Sequence, residues 1–219
     1  MATPEIATTY LAARQRIDDL VRPLDDDDLS RPVPTCPGWT VHAVVSHLAA
    51  TPDWAAAGRL TGLPSDEDTA AQVAELADTP TGEVLDRWAT TAPGFAELAA
   101  GADIWPAAID IVTHEHDIRH ALGRPGERDT EAVGTLAEAL LAWWSPSRAV
   151  EVVTPARAVR CGPADQEPLR WTSTDFEVLR ARLGRRSRAQ LAAMDWSDDP
   201  GELLDELTVF PPSGTDIDE

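Results

Sequence analysis

Asp110 and His114, one helical turn apart in the segment DIVTHEHDIRHALG, are the residues whose types and spacing best suit chemistry. On an α-helix, residues four apart share a face, and Asp117 follows one turn further along. A carboxylate and an imidazole in that relation can both reach one borderline cation, so a second helix needs to supply only one more ligand. His47, in the segment VVSHLAA beside the apolar Val44 and Leu48, is the natural donor. Three protein ligands leave one coordination position open, which is the pattern of a catalytic zinc site; a structural one is closed by four. A thiol or a water would bind there.

Competing readings exist for each of these residues. A histidine on an amphipathic helix is more often a satisfied core or rim residue than a ligand. His116 and His120 are also one turn apart, and His42 precedes His47 by five residues, so other ligand sets are open. His42 and His120 read as surface residues. Asp117 could orient a ligand from behind and Arg119 could hold a carboxylate substrate, although ordinary ion pairs account equally well for both. Cys36 lies in the Pro-flanked loop TCPGW with no histidine at an interpretable distance, so packing at a turn is its expected role. The sequence has no glycine-rich phosphate loop, GxSxG elbow or CxxC pair, which excludes P-loop enzymes, kinases, α/β-hydrolases and dithiol redox proteins.

The elements that must position these residues are legible as patterns. Ile6, Leu11, Ile17, Leu20 and Val21 recur at helical spacing up to Pro23, and the acidic run from Asp25 to Asp28 then reads as a solvated loop. Pro37 and Gly38 break the chain, and from Thr40 the stripe Val41, Val44, Val45 and Leu48 predicts a second helix running towards Trp54. Ser65 and Asp68 form a capping-box pattern for a short acidic helix. Val84, Leu85, Trp88, Phe95 and Leu98 mark a third long helix, which Pro93 should kink or break. The fourth starts at Trp105, with Pro106 tolerated in its first turn and Gly123 then Pro125 as its stop. Four long helices with moderate connections predict a bundle whose sites are built from inward-pointing side chains.

Past Gly126 the pattern changes. A helix over about 130 to 144 is followed by the β-rich runs AVEVVT, ARAVRC and LRWT, and Thr174 with Glu177 opens a last capped helix. The tail SGTDIDE is polar and expected to fray. The fold class is therefore expected to be mainly α, with a metal-binding helix bundle over 1–126 and an additional helix plus a small α+β C-terminal region over 127–219.

Bulk composition narrows the partners. Of 219 residues, 43% are apolar, enough for a real core. The formal charge of -20 comes from 38 acidic residues against 18 basic ones, all of them Arg. Such a field repels phosphate backbones and anionic membranes, and no basic stripe interrupts it, so neither nucleic acid nor membrane is an expected partner. Cys36 and Cys161 form neither a disulfide framework nor a zinc knuckle, which fits a reducing cytoplasm. No basic, then apolar, leader is apparent, and no run approaches the roughly 20 apolar residues that cross a bilayer.

The stretch VPTCPGWTVHAVVSHLAA, followed some sixty residues later by DIVTHEHDIRHALG, resembles the mycothiol-dependent maleylpyruvate isomerase family, within the DinB-like metalloenzymes. The resemblance covers roughly residues 5 to 125, and GRRSRAQLAAMDWS is similar to tails of some members. It implies a DinB-like four-helix bundle whose zinc is bound at positions that fall on His47, Asp110 and His114. The isomerase itself carries Glu where this chain has Asp110, which is one methylene shorter and still a competent ligand.

For activity, the resemblance implies a mycothiol-dependent isomerase or S-transferase in which a metal-bound thiolate attacks an electrophilic small molecule. Mycothiol would be the thiol cofactor or cosubstrate, and the divalent metal would be zinc. A free thiol of pKa about 8.5 is only a few per cent ionised at neutral pH, whereas a coordinated thiol is deprotonated outright. The rival expectations are a metal-binding bundle without turnover and a hydrolase that activates water at the same open position. A monomer or homodimer is expected.

Overall fold

The computed structural model describes residues 4–60 and 62–219. The chain divides into two compact units, the first ending at Pro125 and the second running from Gly126 to Glu219.

The first unit is built on four long helices: α1 (Pro4–Val21), α3 (Val41–Ala56), α5 (Thr81–Gly101) and α6 (Trp105–Leu122). Two short helices, α2 (Asp26–Leu29) and α4 (Asp66–Leu76), lie between them in sequence. Helix α5 packs on both α1 and α3, and so does α6. On α1 the buried stripe is Ile6, Tyr10, Ala13, Ile17 and Val21, a spacing of three and four that turns one face inward. Leu11, counted with that stripe in sequence, lies instead on the exposed side, and Leu98 of α5 is likewise exposed.

Local chemistry fixes the helix ends. Thr40 accepts a hydrogen bond from Ala43 N and starts α3, and Ser65 with Asp68 closes a full capping box on α4. Gly123 adopts φ 63° at the end of α6, a left-handed conformation that glycine takes without a Cβ penalty. The acidic run expected to be a loop is a helical turn, because Asp25 caps it by accepting from Asp28 N and the carboxylates complement the positive helix start.

Pro93 does not break α5. An interior proline costs about 3 kcal/mol, but Ala89, whose carbonyl loses its partner, is on the exposed side where water can reach it. Trp88, Ala92, Phe95, Ala96 and Ala99, flanking the proline, are buried. That burial outweighs the missing bond.

The second unit holds α7 (Glu131–Ala142), α8 (Asp175–Arg182), α9 (Arg188–Ala192) and α10 (Leu203–Leu207) around a four-stranded sheet. The strands β1 (Val150–Val153), β2 (Ala158–Cys161), β3 (Leu169–Thr172) and β4 (Asp195–Trp196) lie in the order β2-β1-β3-β4. The β1–β2 and β3–β4 pairs are antiparallel and β1–β3 is parallel. Val150, Val152, Leu169 and Trp171 point into a core with Leu141, Val178 and Leu204. Two helices thus follow the one expected to be last.

The terminal stretch expected to fray is held. Ile217 is buried and its N–H donates to Gln190 Oε1 at 3.0 Å, while the Glu219 carboxylate pairs with Arg180 and Arg186 at 2.7 and 2.6 Å. Arg180 is wholly buried, and a buried guanidinium needs an anionic partner. Among the described residues no helix is long and apolar enough to cross a membrane.

Candidate metal centre

His47 and Trp54 are both buried on α3, and Asp110, His114 and Asp117 share one face of α6. Because α3 and α6 pack against each other, His47 meets that face. His47 Nε2 lies 3.4 Å from Asp110 Oδ2, and His114 Nε2 lies 3.4 Å from Asp110 Oδ1. One ligand atom from each of the three lies within 4.8 Å of those of the other two. Zinc with N and O ligands at about 2.0 Å in a tetrahedron separates neighbouring ligand atoms by about 3.3 Å. The donor set and its spacing therefore fit a small divalent cation. The rings are nearly closed off, at 3% and 9% exposure, whereas the Asp110 side chain keeps 40% and marks the open side.

Each imidazole is held from behind. His47 Nδ1 lies 2.8 Å from Gln72 Oε1 of α4, and Gln72 Nε2 donates to Thr51 Oγ1 at 3.4 Å. Thr51 Oγ1 in turn donates to the His47 carbonyl at 3.0 Å. An amide oxygen only accepts, so His47 Nδ1 carries a proton donated to Gln72, and Nε2 is the nitrogen turned towards Asp110. His114 Nδ1 lies 3.0 Å from Asp117 Oδ2, the same arrangement with a carboxylate.

Electrostatics follow from burial and contact. Burial by itself would raise the Asp110 carboxyl, but the His47 and His114 rings outweigh it and hold it well below the usual carboxylate range. Burial by itself would lower His114, but Cys36, Asp110 and Asp117 push it well above the ordinary imidazole value. The proton that these contacts favour on His114 is one that a bound cation would displace.

The loop ahead of α3 closes over this cluster. Val33 N donates to Trp39 O at 2.9 Å, Cys36 N to Val33 O at 3.0 Å and Trp39 N to Cys36 O at 3.0 Å. Gly38, at φ 85°, makes the turn. The Trp39 ring lies 5.3 Å from that of His47 and 6.2 Å from that of His114. Cys36, expected to pack at a turn away from any histidine, has its Sγ 3.7 Å from His114 Nδ1 and 3.5 Å from Asp117 Oδ2. The chain returns to it 78 residues later, so spacing gave no sign of the contact.

The remaining histidines and Arg119 are elsewhere engaged. His42 is half-buried, not a surface residue: its Nδ1 lies 2.8 Å from Thr81 Oγ1 and its Nε2 3.2 Å from the Leu76 carbonyl. His120 is also half-buried, and His116 is buried. None of the three joins a group of metal-ligand type among the described residues. Arg119 bonds Glu115 at 3.0 Å, and Arg16 bonds the same carboxylate at 2.7 Å, so Arg119 serves a buried charge cluster between α6 and α1.

The architecture defines a mainly α chain, a four-helix bundle followed by a small α+β unit. Two crystal structures of mycothiol-dependent maleylpyruvate isomerase share this fold. One is 15% identical with a TM-score of 0.55, covering 90% of this chain and 93% of that one. The other, a point mutant, is 16% identical with a TM-score of 0.54, covering 84% and 90%. No curated protein matches in sequence. Residues 10–115 match the family model described as the mycothiol maleylpyruvate isomerase N-terminal domain.

Proposed function

We propose that the protein is a mycothiol-dependent enzyme of isomerase or S-transferase type, in which His47, Asp110 and His114 hold a divalent cation, zinc by the nature of the donor set. The observation that carries this reading is the convergence of two imidazole nitrogens on one carboxylate, each ring tied at its other nitrogen by Gln72 or Asp117. That is how a ligand histidine is oriented when its tautomer matters. The match of residues 10–115 to the mycothiol maleylpyruvate isomerase N-terminal domain model supports the thiol cofactor.

The cation would supply a lowered pKa for a bound thiol, raising the reactive thiolate fraction at neutral pH. The chain's own residues do the rest. Gln72 and Asp117 fix the rings so that no reorganisation is needed when ligands bind. The partly exposed Asp110 carboxylate marks where small molecules reach the centre. Trp39 offers a flat apolar wall beside both rings, suited to a planar conjugated electrophile. Addition of the thiolate to a cis double bond, rotation and departure is isomerisation; retention of the sulfur is S-transfer.

The test is metal content by mass spectrometry on tag-free protein, wild type against His47→Ala and His114→Ala, followed by mycothiol titration and assay with maleylpyruvate and related conjugated electrophiles. Near-stoichiometric zinc lost in both variants, with turnover that needs mycothiol, is the expected result. A folded wild type that stays empty when zinc is offered would overturn the reading.

A further inference from the structure

A second group of ligand type adjoins the first and uses the other nitrogen of the same ring. Cys36 Sγ lies 3.7 Å from His114 Nδ1 and 3.5 Å from Asp117 Oδ2, and the last two atoms are 3.0 Å apart. For one sulfur, one nitrogen and one oxygen around a zinc-sized cation, tetrahedral geometry puts these separations at about 3.3 to 3.6 Å. The three atoms thus stand close to coordination distances already. The thiol is carried on a turn closed by the Cys36 to Val33 and Trp39 to Cys36 backbone bonds, and His114 and Asp117 sit on α6. Little rearrangement is needed to bring them onto one ion.

We propose that Cys36, His114 Nδ1 and Asp117 form a second cation position, selective for a thiophilic ion such as cadmium, that competes with the first centre for His114. Sulfur ligands favour soft cations, whereas the His47, Asp110 and His114 set has none. A neutral imidazole offers one lone pair. An ion on Nδ1 therefore requires the ring proton on Nε2, where Asp110 Oδ1 at 3.4 Å stands ready to accept a hydrogen bond from it. Cys36 gives its proton to solvent on binding. The two positions are alternatives, and a thiophilic ion takes His114 away from the first one. Only His114 is common to both, so this position stands or falls separately from the proposed activity.

The experiment is titration of metal-free, full-length protein with cadmium chloride, read by the thiolate-to-cadmium charge-transfer band in the ultraviolet. Wild type and His47→Ala should develop the band to one equivalent. Cys36→Ser should lose it while still binding one equivalent of zinc, and Cys161, unchanged in that variant, serves as the internal control. Cadmium added to zinc-loaded wild type should release one zinc per cadmium bound. Cadmium NMR of wild type needs no variant: a shift in the range for one sulfur with nitrogen and oxygen ligands is expected, and an all-nitrogen-and-oxygen shift overturns the proposal. So do a band absent from wild type or lost in His47→Ala, a band that survives in Cys36→Ser, or zinc retained alongside cadmium.

Discussion

Gln72 Oε1 accepts the Nδ1 hydrogen of His47 at 2.8 Å, across 25 residues and between two helices, from a side chain with no exposed surface. A fully buried amide bonded to a ligand-type histidine fixes one tautomer and one ring plane. Gln72→Ala removes that acceptor and leaves the ring free to turn, while Gln72→Glu keeps an acceptor and adds charge. The expected outcome is zinc affinity lowered 10- to 100-fold in Gln72→Ala, the range found when such outer partners are removed, with most of it retained in Gln72→Glu. Competition against a coloured chelator reads both. Equal affinity in Gln72→Ala and wild type would mean the amide only fills space.

Metal removal gives a second expectation. A ligand bound at about 1,000 times its dissociation constant stabilises the folded state by about 4 kcal/mol. Treatment with a strong chelator should lower the melting temperature of wild type by several degrees, and zinc should restore it. The double variant His47→Ala, His114→Ala should melt at the same temperature with or without chelator. A chelator effect that persists in the double variant would place the stabilising ion elsewhere.

Pro93 offers a test of packing against backbone. It lies on the exposed side of an unbroken α5, where it deprives the Ala89 carbonyl of a helical partner. Pro93→Ala restores an N–H donor and replaces the worst helix former by the best. The substitution should stabilise the protein by about 1 to 3 kcal/mol, read as a higher denaturant midpoint at unchanged slope. A destabilised Pro93→Ala would show that the helix is bent around the proline and needs that bend.

The bundle itself was legible because its signals are local: Val41, Val44, Val45 and Leu48 repeat at helical spacing, Thr40 and Ser65 are caps, and Gly123 is a stop. Asp110 and His114 could be paired for the same reason, being one turn apart. Partnerships that depend on the return of the chain were not legible. Cys36 reaches His114 across 78 residues, and Gln72 reaches His47 from a helix whose composition, acidic and alanine-rich, marks no residue as special. Charge patterns misled where a helix cap or a distant partner gave them another role. Asp25 to Asp28 looked like a solvated run but caps and begins a helix, and the polar tail looked frayed because its partners, Arg180 and Arg186, lie more than thirty residues upstream.

That tail gives the pH dependence its sign. Burial alone would raise the Glu219 carboxyl, but Arg180 and Arg186 outweigh it and hold it below its ordinary value of 4.5. A carboxyl depressed in the folded state binds its proton more readily when unfolded, so it adds stability above pH 4.5 that is lost as pH falls through the lower folded value. Glu219→Gln should remove that contribution and leave two buried guanidiniums short of a carboxylate, at a cost of about 3 kcal/mol at neutral pH. The difference in melting temperature between wild type and Glu219→Gln should shrink as pH is lowered past 4.5 and vanish in strong acid, where wild-type Glu219 is itself neutral. A gap that stays constant with pH would show that the variant acts through packing and that the ion pairs contribute nothing.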